Sequence, residues 1–485
     1  MVIRRRPLWG GFLFTKDRSQ GGYKVSDRDT IAAISTPSGL GGIGIVRLSG
    51  ENAFKIADQI FECPKCKKTD YPQPRYLYYG YVKDFEGNML DEVLISYMPA
   101  PKTYTREDVV EINCHSGIIT LRTILKLVLK GGARLAEPGE FTKRAFINGR
   151  IDLSQAEAVL NMIRARSEEA VKVAARSMQG ELNKKIEEIR EKVIELRAPL
   201  EASFDYPEEF EEGHYDWDKL KNEIEEIKSI LERLLQGIDK NRAYQEGVSV
   251  AIVGRPNVGK SSLLNALLQQ QRAIVHEVPG TTRDLLEGYM NLGGYPIRLI
   301  DTAGIQGTMD PVEKQGIELS RSAAEQAKLV IMVVDGSSGW TDDDHAIAGF
   351  RRYDQGLVVV INKIDLEQKF DKDELIRNCS DAEIVETAAI KGLGIKQLEE
   401  AVTMQLDKCL GGEEENLVIV SLRHEEIISE TLSSIENALD SISQHPPELV
   451  SLELQNAWSK MGEISGDTIS EDLLDKIFSE FCLGK

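Results

Sequence analysis

The stretch VSVAIVGRPNVGKSSLLNALL, Val248 to Leu268, decides the fold of the middle of this chain. Its first six residues are apolar apart from Ser249 and mostly β-branched, which predicts a buried strand. Gly254, four further residues, then Gly259, Lys260 and Ser261 form the P-loop pattern, and the Leu-rich run behind it predicts a helix. Glycines let backbone N–H groups close around phosphate oxygens, and the helix N-terminus adds its dipole. In that arrangement Lys260 reaches the β- and γ-phosphates and the Ser261 hydroxyl takes magnesium. Three more segments follow in order: GTTRD from Gly280, DTAG from Asp301 and NKID from Asn362. A P-loop alone implies any nucleoside triphosphate. NKID selects guanine, because Asp365 can accept hydrogen bonds from the guanine edge, so the motifs together imply GTP and Mg2+.

The expected nucleotide-binding residues are Asn257, Val258, Gly259, Lys260, Ser261 and Ser262 from the first segment. The second supplies His276, Glu277, Val278, Pro279, Gly280, Thr281 and Thr282; the third supplies Asp301, Thr302, Ala303 and Gly304. Asn362, Lys363 and Asp365 complete the set. The segment ETAAIKGLG sits where a last guanine-side loop belongs, with Thr387, Ala388 and Ala389 in place of the usual Ser-Ala-Lys. Its backbone is still expected to meet the base.

At 485 residues the chain is long enough for two to four domains. No apolar run is long enough to span a bilayer, so no stable membrane insertion is expected. Arg4, Arg5 and Arg6 precede a short apolar PLWGGFLF, but Lys16, Asp17 and Arg18 follow with no small-residue cleavage site. Residues 1–26 therefore read as an extension or a mis-chosen start rather than a secretion signal. Six cysteines in a chain of this length do not make a disulfide framework. Cys63 and Cys66 form one C-x-x-C without a second pair or a spaced His, which argues against zinc. A cytoplasmic protein is expected. The formal charge of −20 argues against a surface that grips nucleic acid throughout, since Lys and Arg make most phosphate contacts. Any RNA contact should be local or supplied by a partner.

The fold class is multidomain, α/β and all-α. Residues 27–145 mix strand patterns (TIAAIST, GIGIVRL, YLYYGYV, DEVLISYM) with a helix over Ile118 to Lys130 and form an N-terminal α+β domain. Residues 146–246 and 406–485 carry Leu and Ile at three- and four-residue steps, the mark of amphipathic helices packed on one another. The P-loop α/β domain, 247–405, is inserted into that helical bundle.

Three segments outside the nucleotide motifs carry a more specific signal: TPSGLGGIGIVRLSG, PGEFTKRAFINGRIDLSQAEAV and the terminal IFSEFCLGK. With them the chain resembles the MnmE (TrmE) family of tRNA-modification GTPases, from about Asp29 to its end. The resemblance implies a homodimer with a folate-binding and dimerisation domain, a helical domain and an inserted G domain. It implies a flavin-dependent partner, MnmG (GidA), in a heterotetramer or larger complex. That complex adds a carboxymethylaminomethyl-type group to carbon five of the wobble uridine of certain tRNAs. The one-carbon unit comes from 5-formyltetrahydrofolate or a related reduced folate, and GTP hydrolysis is required. By matching motif, Arg47, Glu111, Arg150 and Lys485 are the implied folate contacts. Arg150 stands where the family often has Lys, which keeps the charge and changes the geometry. Cys482, three residues from the end, is expected near the one-carbon chemistry in a catalytic or positioning role, with no part in GTP hydrolysis.

Phosphoryl transfer needs charge neutralisation and a positioned water more than covalent help. Many GTPases place Gln directly after the third motif; here Ile305 follows Gly304 and cannot orient water. The resemblance offers Glu313 as the water-orienting catalytic carboxylate. It also offers potassium, held by Asn257, His276, Val278 and Thr281, with Thr282 reaching magnesium. Two other readings share some of these features. An assembly GTPase leaves the N-terminal module and the Cys-Leu-Gly-Lys end unexplained, and a stand-alone folate-dependent methyltransferase leaves the G domain unexplained. If Asn257 holds a potassium ion, replacing potassium by sodium at equal ionic strength should slow GTP turnover greatly, and Asn257→Ala should erase the difference. Equal rates of phosphate release in the two salts would refute it.

Overall fold

The computed structural model describes residues 29–37, 39, 41–64, 73–205, 216–270, 289–300, 321–352, 355–369, 375, 379, 381–411, 421–444, 447–467 and 471–484. The chain forms two compact units, Met1–Arg150 with Phe478–Lys485, and Ile151–Ile477.

The first unit runs β1 (Ile31–Ile34), β2 (Ile43–Ser49), α1 (Ala53–Ile60), β3 (Phe61–Glu62), β4 (Leu77–Lys83), β5 (Met89–Met98), β6 (Val109–His115), α2 (Ile118–Lys130), β7 (Arg134–Leu135) and α3 (Glu140–Ile147). The strands form one sheet in the order β3-β4-β5-β6-β2-β1-β7. Only the short β1–β7 pair is parallel. Side chains alternate across such a sheet, so one face can be buried and the other open. The buried face sets Val46, Leu48, Val93, Ile95 and Ile112 against Ile56, Ile60, Ile124 and Val128 of α1 and α2. On the open face the register places Arg47 opposite Glu111 and Tyr79 opposite Leu94. The chain's last turn also lies here: Phe478 and Phe481 are buried, and Phe478 meets the ring of Phe146 at 6.4 Å.

The second unit begins with α4 (Leu153–Arg164), α5 (Glu168–Met178), α6 (Glu181–Asp205), α7 (Trp217–Gln236) and α8 (Ile238–Glu246). The α/β part follows: β8 (Val248–Val253), α9 (Lys260–Gln270), β9 (Tyr289–Leu292), β10 (Tyr295–Ile300), β11 (Leu329–Asp335), α10 (Asp342–Ala348), β12 (Gly356–Asn362), β13 (Glu383–Glu386) and α11 (Ile395–Leu410). Then come α12 (Leu422–Gln444), α13 (Pro447–Ser465) and α14 (Glu471–Ser479), whose last two residues belong to the first unit. Sheet order is β13-β12-β11-β8-β10-β9, parallel throughout except for β9 at the edge. Every residue of β11 and β12 is buried. Alternate residues feed two cores, Ile331 and Val333 on one face and Met332 and Val334 on the other, which is why these strands read as unbroken apolar runs.

The helices on either side of the α/β part share one core. Leu182, Ile189 and Val193 of α6, with Ile224 and Leu231 of α7, pack against Ile428 and Ile435 of α12 and Leu454 and Met461 of α13. Burying each such side chain stabilises the bundle by about 1.5–3 kcal/mol. An insertion is therefore the topology here, with both flanks needed to close one core. Polar joints mark both crossings. At the entry, Tyr244 of α8 stacks on Tyr295 at 4.6 Å, and Asp407 accepts from the Tyr295 hydroxyl at 2.8 Å and pairs with Lys240 at 2.9 Å. At the return, Arg423 of α12 donates to both oxygens of Glu157 on α4 at 2.9 Å and to the Glu463 carbonyl at 2.7 Å. His424, fully buried, pairs with the same carboxylate at 2.6 Å. Among the described residues no helix is long and apolar enough to cross a membrane. Cys63 is disulfide-bonded, whereas Cys114, Cys379, Cys409 and Cys482 are free.

Burial pushes the Glu157 carboxyl up, but His424 and Arg423 outweigh it and hold the group at about 2, against an ordinary 4.5. A depressed carboxylate contributes stability that is present above its unfolded pKa and lost as pH falls through the folded one. The helical bundle should thus lose stability between pH 4.5 and about 2. Glu157→Gln is expected to cost about 3–5 kcal/mol at neutral pH, by leaving Arg423 buried without its counter-charge. It should also flatten the acid limb of a pH series of urea titrations; an unchanged limb would assign acid unfolding to other groups.

Candidate functional site

The P-loop is shaped by backbone geometry together with close packing against its neighbours. Asn257 sits at φ +64°, and Gly259 at φ +103°. A Cβ at Gly259 would run into the Asn362 side chain, and one at Gly254 into the Val333 carbonyl. Those glycines are therefore required by close approach. Lys260 opens α9 and arches over its own loop, its Nζ donating to the carbonyls of Gly254 at 2.7 Å and Arg255 at 2.8 Å. Burial lowers its pKa. An ammonium has three donors, so one is left for a phosphate oxygen. Ser261 is exposed in the first turn of α9, where a hydroxyl can take a cation. These features fit a phosphate-and-magnesium cradle. Arg255 is committed elsewhere, donating to the buried Asp344 at 2.9 Å and to Ser338 at 3.1 Å.

Asn362, 2% exposed, ties three loops into one floor. Its Nδ2 donates to the Val258 carbonyl at 2.9 Å, and its Oδ1 accepts from Thr387 Oγ1 and Ala389 N–H, both at 3.1 Å. Lys363, at φ +63°, donates to the Asn257 carbonyl at 2.8 Å and pairs with Asp335 at 2.6 Å. Non-glycine residues in that region are strained and cluster where function requires them. Asp365 faces Lys391 at 3.0 Å. The structure thus brings together Asn257, Val258, Gly259, Lys260, Asn362 and Lys363. Thr387, without the usual Ser-Ala-Lys context, still supplies the hydroxyl that holds Asn362. His276, Glu277, Val278, Pro279, Gly280, Thr281, Thr282, Asp301, Thr302, Ala303, Gly304, Ile305, Glu313 and Lys485 lie outside the described residues.

In the first unit, Arg47 and Glu111 face each other across β2 and β6 in a half-buried pair, with contacts of 2.7 and 2.8 Å. Opposite charges directly across a sheet stabilise the pairing. The tail reaches the same spot: the Gly484 carbonyl accepts from Ser35 Oγ at 3.1 Å and Arg47 at 3.4 Å. Gly484 has φ +93°, and a Cβ there would strike the Ile34 carbonyl, so the tail's close approach needs glycine. Arg47 also lies 5.8 Å from the Phe141 ring, and Arg150 stacks over Tyr104 at 4.6 Å. Phe141 and Tyr104 pack in one small cluster with Ile31, Ala33 and Ala136. Arg47, Glu111 and Arg150 therefore border one patch, the first two in direct contact. Cys482 is an exposed free thiol. An arginine, a stacked arginine and a paired carboxylate suit a planar, anionic ligand.

Several participants carried little signal in the sequence. Asp335 ends a wholly apolar strand and is followed by Gly336, a pattern that could have marked it. Lys391 and Gly484 could be found only once their loops were placed.

The model of the MnmE helical domain matches residues 153–482, and that of the GTP-binding protein TrmE N-terminus matches residues 30–150. A tRNA modification GTPase MnmE of Acetivibrio thermocellus is 46% identical over 460 residues, covering 94% of this chain and 99% of that protein. That of Clostridioides difficile is 44% identical over 458 residues, with the same coverage. That of Geobacillus thermodenitrificans is 45% identical over 466 residues, 95% of this chain and 100% of that protein.

Asn362→Ala would strand the Val258 carbonyl and the Ala389 N–H, at about 1–3 kcal/mol for each buried group left unsatisfied. A lowered thermal midpoint, largely independent of the first unit, is the expected result. No change on melting would mean that water replaces the amide.

Proposed function

The chain belongs to the MnmE (TrmE) family of tRNA modification GTPases, and from that premise we propose that it binds GTP, hydrolyses it and uses the cycle to modify tRNA. The observation that carries the GTP half is Asn362, which locks the P-loop to the Thr387 loop and leaves Asp365 at the rim. Lys260 and Ser261 hold the phosphates and magnesium, which supplies charge neutralisation. Glu313 orients the attacking water in place of the missing Gln. Asn257, with His276, Val278 and Thr281, would hold potassium, and Thr282 would reach magnesium.

The modification half rests on the first unit. Arg47, Glu111, Arg150 and the tail ending in Lys485 hold a reduced folate of the 5-formyltetrahydrofolate type. Cys482 lies near the one-carbon chemistry. With a flavin-dependent partner of the MnmG (GidA) kind, the protein installs a carboxymethylaminomethyl-type group at carbon five of the wobble uridine. The acidic chain leaves most RNA contacts to that partner. It acts in the cytoplasm as a homodimer. The open sheet face, with Leu77, Tyr79 and Leu94 each more than 40% exposed, supports pairing with a second copy.

The test combines binding and chemistry. Arg47→Ala and Glu111→Ala should each weaken reduced-folate binding about tenfold or more, the scale of removing a charged hydrogen-bond partner, while GTP hydrolysis by the purified dimer stays unchanged. In a strain lacking the protein, the native gene should restore the modified wobble nucleoside by mass spectrometry and these variants should not. Native folate affinity in both variants would remove folate from this site.

A further inference from the structure

Asn362 is not the only NKID residue gripped by the loop after β13. Asp365 Oδ2 lies 3.0 Å from Nζ of Lys391, a residue of the ETAAIKGLG segment that is not among the expected nucleotide-binding residues. Lys391 ends the short 3-10 turn Ala389–Lys391, and its N–H donates to the Ala388 carbonyl at 2.9 Å. Ala388 and Leu393 pair across the base of this turn. The Ala389 N–H is itself bonded to Asn362 at 3.1 Å, so the turn cannot drift relative to the NKID segment. One loop therefore holds the first residue of NKID through its backbone and the last through a side chain. The lysine hydrogen bond also holds the Asp365 carboxyl below its usual range.

A carboxylate discriminates guanine only when both oxygens are aimed at the ring N1–H and the 2-amino group. Asp365 lies in a turn with its side chain partly exposed, and the described contacts restrain it through Lys391. Each carboxylate oxygen has room for two hydrogen bonds, so the ammonium can stay on Oδ2 while the base is bound. A cation behind the carboxylate also weakens it slightly as an acceptor, but an unaimed acceptor loses directional contacts altogether.

We propose that Lys391 is a positioning residue for base selection, orienting the Asp365 carboxylate toward the 2-amino edge of guanine. The inference rests on the reading of this pocket as a guanine-nucleotide site. Calorimetric titration of the full chain with guanosine diphosphate and inosine diphosphate, which differ only in that amino group, tests both. Native protein should prefer guanosine diphosphate. Lys391→Ala should shrink the preference by about threefold to fivefold, the scale of a partly exposed ion pair, and Lys391→Arg should keep it. An unchanged preference, an equal loss for both nucleotides, or tighter guanosine diphosphate binding in Lys391→Ala would overturn the role of Lys391. Native protein without preference would overturn the guanine reading itself.

Discussion

The buried Asn362 amide is the constraint around which the α/β part is arranged. A polar group removed from water must find partners inside the protein. Asn362 finds them on the P-loop and on the Thr387 loop at once. Two segments more than a hundred residues apart in sequence therefore take up one relative position. Lys363 repeats the bridge one residue on, through Asn257 and Asp335. The left-handed backbone at Asn257 and Lys363 is tolerated because these bonds over-determine it.

The first unit solves a different problem with the same logic. Its sheet has one buried face and one open face, and the open face carries charge. Arg47 is neutralised by Glu111 across the strands, then drawn on by the carbonyl of Gly484. The chain's end thus completes a patch begun by β2, near residue 47, and the closeness is possible because Gly484 has no side chain. Phe478 and Phe481 hold the tail there by burial.

The helical bundle meets the inserted α/β part through polar side chains near both crossings. Both seams are polar rather than apolar: Lys240 with the exposed Asp407 and with Tyr295 at the entry, and the buried Arg423, Glu157 and His424 at the return. Removing one partner from the buried Arg423–Glu157–His424 cluster leaves an uncompensated charge, so the geometry of that cluster is narrowly set. The hairpin turn between β9 and β10 begins two residues before Tyr295, which ties the entry seam to a strand pair lying between the second and third nucleotide motifs.

Local signals were enough for much of this. The apolar run and glycine spacing around Gly254, the helix over Ile118 to Lys130, and the alternation of β4 and β5 are properties of neighbouring residues, and each became the element its pattern implies. Motif identity also selected Asn257, Lys260, Asn362 and Lys363, which lie together. Thr387 departs from the usual Ser-Ala-Lys, yet its hydroxyl serves because a hydrogen bond asks for an oxygen in place, not for a particular residue name. The partners of these residues were not legible. Lys391 on Asp365, Gly484 on Arg47 and Arg423 on Glu157 join positions brought close only by folding. Short-range periodicity carries no information about such pairs, because burial and distance arise when distant segments share a core. The sequence by itself determined the elements and the chemistry they carry; the tertiary structure decided which side chain restrains which, since that depends on directions in space that no spacing encodes.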